Sequence, residues 1–361
     1  TWPTSKRSRT RGDKMSKIKA ELAMVIGDEP FGGWGPLGFH DPEGLASDND
    51  GNIIIADEAN HRIVKVNGKT GEFIWKVGRT TSVGHPREGT AQGEFRWLRG
   101  VCTDKDDNVY VADSSNCRIQ KFDNNGNFLM MFGSAGNGPG QFGGQYGPNG
   151  IAVDDEGFIY VADTHPHIGG NNRIQKFDPD GVFVMAFGRY GTGLGEFGGK
   201  VPIGRFGIDF GRRISTGVEG PYGVAIAKNG DIYATDCDNE RIQVFDKDGN
   251  FIRSIGEGIV FRPRQISLDS QGRIYTTGFH TWAALKEFER SVEITAENRK
   301  VWVFDPEGEL LLIIGNKEAG GNWEHKEIGG GKHHSICVDK SDESYIFTQG
   351  GYVLNKFKIH W

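Results

Sequence analysis

Six polar or ionisable residues stand at one repeated position of this chain, each at the start of a short apolar segment. Several lie in a Pro-x-Gly frame, as in Pro221-Tyr222-Gly223. In chain order the six are Glu43, Arg99, Asn149, Tyr222, Arg264 and His334. Two arginines favour an anionic substrate, because a guanidinium group binds carboxylate or phosphate oxygens with paired hydrogen bonds. The set therefore predicts a site for a small anionic molecule.

Acid–base chemistry at this site would fall to three of the six residues. Histidine changes charge near neutral pH, so His334 suits a proton shuttle. Tyr222 would be a partner acid or hydroxyl donor, and Glu43 a base, a metal ligand or the partner of an arginine. We expect His334, Tyr222 and Glu43 to be catalytic and Arg99, Arg264 and Asn149 to bind substrate. The alternative is a water-filled channel lined by solvated polar groups.

Repeated elements must hold these residues in place. One pattern recurs six times with a period of roughly forty residues, which is typical of stacked supersecondary units. The clearest copies are 108–123, 158–178 and 232–246, a blunter copy is 53–66, and the degraded copies are 274–305 and 345–358. In the second unit the pattern predicts strands over 100–103, 108–112, 118–122 and 128–132, separated by turn residues.

Four short strands per unit, repeated radially, predict an all-β fold, a six-bladed β-propeller. The sixth unit ends after its third strand, since 353–358 aligns with the RIQKFD strand of other units. The missing strand stands near the start of the chain, where 21–27 matches 127–133. We therefore expect the ring to be closed by an N-terminal strand that completes the last blade.

The repeats resemble those of the NHL-repeat family, whose units carry a GVAVD…GNIYVAD…NxRIQKFD pattern over about residues 21–358 of this chain. The resemblance implies a six-bladed propeller without fixing one function, since propellers serve as enzymes and as binding modules. The Asp of the VAD step and the Arg of the NxRI step recur in most units, so we expect them to belong to the scaffold.

Two families of propeller enzymes bear on a metal. Peptidyl-hydroxyglycine amidating lyase resembles this chain and binds zinc through histidines at the Pro-x-Gly position of three blades, where this chain matches only with His334. Gluconolactonase-like propellers hold a divalent ion with Glu and Asn or Asp, and Glu43 and Asn149 look similar. The resemblances imply a divalent metal, zinc or calcium, with Glu43, Asn149 and His334 as candidate ligands. We expect no nucleotide cofactor, because no P-loop or dinucleotide fingerprint stands in a matching context.

Long loops are predicted on the face that carries the six residues, here called the loop face. Loops between blades cover 79–95, 134–146, 189–220 and 316–332. Loops inside blades cover 164–171, with His165 and His167, and 279–298, which begins near His280 and includes a predicted helix over 282–290. We expect His165, His167 and His280 to contribute to substrate binding and the helix to act as a lid. The opposite face should carry only short hairpins.

Composition limits the remaining possibilities. The 361 residues carry a net charge of −6, yet residues 1–20 hold seven Lys or Arg and a single Asp. We expect residues 1–20 to be a basic, disordered tail and 21–361 to form a single propeller with a helical insert at 279–298. An acidic body disfavours nucleic-acid binding, and no apolar run is long enough to span a membrane. Four cysteines without a CxxC motif favour free thiols and a cytoplasmic location.

Together these patterns predict an enzyme of lyase, hydrolase or isomerase type acting on a small anionic substrate. The alternative is a non-catalytic NHL propeller whose loop face binds a protein or carbohydrate partner. That alternative would depend on loop aromatic residues, namely Phe95, Trp97, Phe142 and Trp323.

Overall fold

The computed structural model describes residues 18–27, 35–143, 147–164, 171–199, 207–209, 212–214, 220–279, 299–314, 335–349 and 352–361. β-Branched and aromatic residues fill short strands that alternate with glycine- and aspartate-rich turns, as a pleated sheet requires. Six antiparallel sheets result, each containing the four strands of one blade. The predicted six-bladed β-propeller is confirmed.

Each blade runs from an innermost strand at the channel to an outermost strand at the rim. The first has a short extra strand at the rim. The first strand of the chain, β1 (Lys19–Ile26), belongs to the last blade. Blade 1 comprises β2 (Pro42–Ser47), β3 (Ile53–Asp57), β4 (Arg62–Val66), β5 (Phe73–Thr80) and β6 (Pro86–Arg87). Blade 2 comprises β7 (Val101–Thr103), β8 (Val109–Asp113), β9 (Arg118–Phe122) and β10 (Phe128–Phe132).

The loop after blade 2 holds a short parallel pair, β11 (Ser134–Ala135) and β12 (Gln141–Phe142). Blade 3 comprises β13 (Ile151–Val153), β14 (Ile159–Asp163), β15 (Arg173–Phe177) and β16 (Phe183–Phe187). An antiparallel pair follows, β17 (Gly207–Asp209) and β18 (Arg212–Ile214). For blade 2, whose four strands were predicted individually, the predicted and observed bounds agree to within one residue at each end.

The second half of the ring repeats the same plan. Blade 4 comprises β19 (Pro221–Ile226), β20 (Ile232–Asp236), β21 (Arg241–Phe245) and β22 (Phe251–Ile255). Blade 5 comprises β23 (Ile266–Leu268), β24 (Ile274–Phe279), β25 (Arg299–Phe304) and β26 (Leu310–Ile314). Blade 6 comprises β27 (Ile336–Val338), β28 (Tyr345–Gln349), β29 (Leu354–His360) and β1.

The ring closes in blade 6, where β1 pairs antiparallel with β29, from Lys19 opposite His360 to Ile26 opposite Leu354. The Ile26 side chain is buried among Phe39, Leu45 and Phe347, so the strand contributes to the core as well as to the sheet. This arrangement confirms the predicted one-plus-three closure. Because β1 begins at Lys19, the strand starts two residues before the predicted propeller boundary at residue 21.

The innermost strands β2, β7, β13, β19, β23 and β27 each contact the next, and β27 contacts β2. Glycine at the start of an inner strand permits this approach. A Cβ atom at Gly44 would overlap the Arg99 carbonyl oxygen, and one at Gly100 would overlap that of Asn149. The glycine that follows these mouth residues is therefore explained by the close packing of backbones around the channel.

The apolar core lies between neighbouring blades. Ile54 and Ile63 of blade 1, for example, pack against Phe95, Val109 and Phe122 of blade 2. All four cysteines are free, three of them buried. Among the described residues no helix has the length and apolar character needed to cross a bilayer. The predicted helical insert at 279–298 falls, except for residue 279, outside the described part of the chain.

Candidate functional site

Five of the six predicted mouth residues are described, and they lie in chain order around one end of the channel. Backbone hydrogen bonds connect neighbouring positions: the Gly100 amide donates to the Asn149 carbonyl at 3.0 Å, and the Gly150 amide to the Tyr222 carbonyl at 2.7 Å. Each residue immediately precedes an inner strand or stands at its start. The repeated sequence position is therefore a ring in space.

A hydrogen-bonded line crosses this ring. The Tyr222 hydroxyl donates to Glu43 Oε2 at 2.8 Å, and Arg264 Nη1 donates to the Tyr222 hydroxyl oxygen at 3.1 Å. Glu43 and Tyr222 are only 5% and 1% exposed. The phenol of Tyr222 therefore lies between a carboxylate that accepts its hydrogen bond and a guanidinium that donates to its oxygen.

Arg99 connects the remaining predicted residues to this line. Its Nη1 donates to Asn149 Oδ1 at 2.8 Å, and its guanidinium carbon lies 5.8 Å from the centre of the Tyr222 ring. The Arg264 guanidinium lies 4.8 Å from the same ring. Two arginines thus flank one aromatic ring, a cation–π arrangement that concentrates positive charge at the mouth.

Glu58 was not predicted from the sequence and belongs to the same network. It begins a short 3₁₀ turn (Glu58–Asn60) directly after β3, is 6% exposed, and accepts a hydrogen bond from Arg99 Nε at 3.3 Å. The equivalent positions hold Ser114, Thr164 and Cys237. Comparing the repeats at this position, as was done for the mouth residues, would have identified a carboxylate in blade 1 alone.

Glu58 forms a carboxylate cluster with Asp41 and Glu43, in which one oxygen from each residue lies within 4.8 Å of the other two. Burial raises the pKa of the Glu58 carboxyl to about 8; the charge of Glu43 acts in the same direction, Arg99 opposes it, and Asp41 adds to the rise. The cluster thus holds more negative charge than Arg99 alone neutralises near it, and a proton on Glu58 relieves the repulsion.

The histidine zinc centre implied by resemblance does not fit the described positions. Arg99 and Arg264 are cations, and Tyr222 and Glu43 are bonded to each other, so these positions offer no imidazole nitrogen. Among the described residues Asp41, Glu43 and Glu58 are the only group of three candidate ligands, and carboxylate oxygens suit a hard cation such as calcium better than zinc.

Four predicted site residues lie outside the described part of the chain: His334, His165, His167 and His280. Their roles in proton transfer and substrate binding stay predictions. Trp323, one of the aromatic residues assigned to partner binding, also lies outside it.

Two of the other loop aromatic residues are part of the core. Phe95 and Phe142 are fully buried between blades, which contradicts the expectation that they are available to a partner. They stand in Gly-Glu-Phe and Gly-Gln-Phe segments that fasten the loops to the blades. Trp97 differs: it is 44% exposed, and its backbone amide donates to His61 Nδ1 at 3.2 Å.

The recurring Asp and Arg residues form buried clamps for the loops. In blade 2, Asp113 accepts hydrogen bonds from the Arg96 amide at 2.8 Å and Arg118 Nε at 2.7 Å, while Arg118 and Gln120 both donate to the Glu94 carbonyl at 2.9 Å. We call Asp113, Arg118 and Gln120 the loop clamp. Blades 3 and 4 repeat it with Asp163, Arg173 and Gln175 and with Asp236, Arg241 and Gln243.

Each clamp fixes the segment that leads into the inner strand of its own blade, as Asp113 does before β7 and Asp163 before β13. Arg96, whose amide is bonded to Asp113, stands three residues before Arg99. The scaffold residues therefore hold the mouth residues indirectly, by anchoring the backbone on which they stand.

A cavity of about 750 Å³ lies at the opposite end of the channel, among the short hairpins. Its carboxylates are largely engaged: Asp104 bonds to Asn108 and Tyr110, and Asp269 to Arg273 and Tyr275. These contacts hold the hairpin turns, so this cavity supports no assignment of chemistry.

Comparison with known families identifies the repeats. A family model described as the NHL repeat matches residues 39–66, 95–122, 146–177 and 220–245, which fall in blades 1 to 4. The chain contains NHL repeats. In this NHL propeller, blades 5 and 6 are the two units whose pattern is degraded in the sequence.

Curated relatives of the NHL propeller have diverse names. It is 28% identical to "Protein brain tumor" of Drosophila melanogaster over 46% of this chain and 13% of that protein. Over 38% of this chain and 37% of the relative it is 29% identical to a "Probable peptidyl-alpha-hydroxyglycine alpha-amidating lyase" of Caenorhabditis elegans. It is also 30% identical to "Peptidyl-glycine alpha-amidating monooxygenase B" of Xenopus laevis, over 55% of this chain and 20% of the relative.

The NHL propeller thus spans well under half the length of each of these relatives. Among solved structures, "Streptogramin B lyase structure" matches with a TM-score of 0.54 and 12% identity, over 96% of this chain and 99% of the other. A protein of unknown function from Bacteroides caccae matches with the same TM-score over 82% of this chain and 86% of the other. At such identities the structures support the fold alone.

Proposed function

We propose that this NHL propeller is an enzyme of the lyase, hydrolase or isomerase type, acting on a small anionic substrate at the loop-face mouth of its channel. The observation that carries the proposal is the buried series of hydrogen bonds from Arg264 through Tyr222 to Glu43. These three side chains come from three different blades, and their hydrogen bonds are not part of the sheet pairing within any blade. Lyase chemistry is the first choice, because one of the relatives above is named as an amidating lyase and another as an amidating monooxygenase.

The proposed chemistry follows from the surroundings of the Tyr222 hydroxyl. Glu43 accepts its proton, and Arg264 donates to its oxygen and so favours the phenolate. Tyr222 would take a proton from the substrate as the phenolate and return it to the leaving group as the phenol. His334 is proposed as the second proton-transfer group.

Substrate binding is proposed for the two arginines. Arg99 and Arg264 place their guanidinium groups on the Tyr222 ring, so an oxyanion held by them would lie beside the Tyr222 hydroxyl. Asn149 fixes Arg99 through its amide oxygen. Charge and geometry together support a carboxylate or phosphate next to the atom that exchanges a proton.

A suitable probe is N-benzoyl-α-hydroxyglycine. A lyase would break its C–N bond, take the hydroxyl proton as the carbonyl forms and protonate the nitrogen, giving benzamide and glyoxylate. Glyoxylate release would be measured for the wild type, Tyr222→Phe and His334→Ala. The matched control is Tyr160→Phe. Tyr160 is also buried, and its hydroxyl donates to the Asp154 carboxylate over a distance of 3.0 Å, but this pair does not belong to the mouth.

We expect turnover by the wild type and by Tyr160→Phe, and its loss in Tyr222→Phe and His334→Ala with melting temperatures close to that of the control. Equal turnover by Tyr222→Phe would refute the role of the phenol. Hippurate, which is the same molecule without the hydroxyl group, serves as a non-reactive ligand. If the wild type shows no turnover, and Tyr222→Phe binds hippurate as tightly as the wild type does, the protein would be a binding protein instead.

The second candidate function is non-catalytic binding of a protein or carbohydrate on the loop face. It is favoured by the exposure of Trp97 on that face and by relatives whose names specify no reaction, such as "Protein brain tumor". Trp97→Ala would then abolish partner capture while hippurate binding is unchanged, whereas the enzyme proposal places no demand on Trp97.

A further inference from the structure

We propose that Glu58 is a positioning residue that sets the orientation of Arg99, and through it the affinity of the mouth for an anion. The inference rests on the proposed function for its functional consequence. Its structural part concerns the side chains of Glu58 and Arg99 alone and can be tested without a substrate.

The repeat shows that Glu58 has left the role of its equivalents. In blade 2, Ser114 Oγ donates to the Pro148 carbonyl at 2.6 Å, and in blade 3 Thr164 bonds to the Pro221 carbonyl. Both hydroxyls thus tie one blade to the backbone just before the next mouth residue. Glu58 instead reaches the side chain of the next mouth residue, Arg99. A structural contact between blades has been replaced by a contact to a charged group at the mouth.

Two contacts define the plane of the Arg99 guanidinium. Nε donates to Glu58 Oε1 at 3.3 Å, and Nη1 donates to Asn149 Oδ1 at 2.8 Å. These acceptors stand on blades 1 and 3, on either side of Arg99 in blade 2. Because a guanidinium is rigid and planar, fixing Nε and Nη1 fixes the directions of all its N–H groups. Without Glu58, the side chain would pivot about its remaining contacts.

Glu58 is also well placed to exert this control because it is buried. Its side chain is 8% exposed and that of Arg99 is 19% exposed, so the pair is shielded from solvent screening. Asp41 and Glu43 lie against Glu58 and limit where its carboxyl can move.

Orientation and simple charge balance predict different effects of removing Glu58. If Glu58 only offset the charge of Arg99, its removal would leave anion binding unchanged where Glu58 is protonated and strengthen it where Glu58 is ionised, since the arginine would then lose a nearby counter-charge. If Glu58 positions Arg99, its removal weakens anion binding despite that gain. Glu58→Gln separates the two, because the amide oxygen can accept the Nε hydrogen bond without the charge.

The experiment combines a spectroscopic signal with a binding measurement. The Arg99 Nε–H resonance, assigned with Arg99→Lys, would be followed by ¹⁵N NMR in the wild type, Glu58→Ala and Glu58→Gln. Hippurate affinity would be measured by calorimetry in the same proteins and in Arg99→Ala. Ser114→Ala serves as matched control, because it alters the equivalent position of blade 2.

We expect Glu58→Ala to lose the slowly exchanging Arg99 signal and to weaken hippurate binding roughly tenfold. Glu58→Gln should retain both, and Ser114→Ala should retain the signal and the affinity. An Arg99 signal unchanged in Glu58→Ala, or tighter hippurate binding by that variant, would overturn the positioning role. If the signal is lost but Arg99→Ala binds hippurate like the wild type, the positioning role stands and the proposed function of Arg99 fails.

Discussion

The hydroxyl of Tyr222 on blade 4 donates to the carboxylate of Glu43 on blade 1 at 2.8 Å, although the two residues are 179 positions apart in the chain. Blades 1 and 4 face each other in a ring of six, so this bond spans the mouth of the channel. It is possible only because the ring is closed and the inner strands pack tightly. The fold and the candidate site therefore depend on the same geometry.

The Tyr222–Glu43 bond should contribute measurably to stability. Tyr222→Phe leaves the buried Glu43 carboxylate without this donor, so we expect the free energy of unfolding to fall by about 1–3 kcal/mol. In a double-mutant cycle with Glu43→Ala, urea unfolding should give a coupling energy of about 1 kcal/mol or more. Additive single effects, within about 0.5 kcal/mol, would show that the two residues do not depend on each other.

Glu58 should make the stability of the protein fall as pH rises. Its folded-state pKa is raised from 4.5 to about 8, chiefly by burial and next by the charge of Glu43. Between these values the folded chain keeps a proton that the unfolded chain has lost. The free energy of unfolding therefore decreases with pH, by at most about 1.4 kcal/mol per pH unit, and levels off above the folded-state pKa.

Glu58→Gln tests this pH dependence, because glutamine does not titrate. We expect the variant to gain stability relative to the wild type between pH 5 and pH 8, as measured by urea unfolding at several pH values. A difference between variant and wild type that is constant over this range would contradict the raised pKa.

The loop clamp should be far more important for folding than exposed arginines. Arg118 bonds to Asp113 at 2.7 Å, and Asp113 is fully buried, so Arg118→Ala would leave a buried carboxylate without its cation. We expect a loss of about 3–5 kcal/mol in the free energy of unfolding. The control is Arg96→Ala, whose half-exposed side chain pairs with Glu88 and should cost less than about 1 kcal/mol. Similar losses in both would argue against the clamp.

Zinc analysis tests the metal expectation that resemblance suggested. Since the described mouth positions supply two guanidinium groups and no imidazole, we expect purified protein to hold clearly less than one zinc per chain by plasma mass spectrometry. The same low content is expected in His334→Ala. Stoichiometric zinc in the wild type that is lost in His334→Ala would show that the centre exists and that His334 binds it.

Much of the architecture was predictable because the repeat is written in local patterns. Strand alternation, Asn-Gly turns and the missing fourth strand of the last unit led to six blades and to closure by β1. The mouth positions Glu43, Arg99 and Tyr222 were found by comparing polar residues across repeats. That comparison works because inner strands converge on one axis.

The contacts within the site were less predictable. Glu58 stands outside the Pro-x-Gly frame; comparison of the repeats marks it as a lone carboxylate, but its contact with Arg99 of the next blade appears only in the structure. Phe95 was misassigned to the surface because its loop context hides the fact that a loop clamp draws it into the core. Pairings across blades depend on side-chain directions, which the period of the repeat does not specify.

The glycine that starts an inner strand has an evolutionary consequence. Because Gly44 and Gly100 set the spacing of the ring through backbone contact, that spacing does not depend on which side chains stand beside them, at Glu43 and Arg99. Selection could exchange such side chains one at a time while the frame persisted. A propeller of this kind would change its substrate more readily than its shape. Relatives with similar repeats would be expected to differ most at the mouth positions.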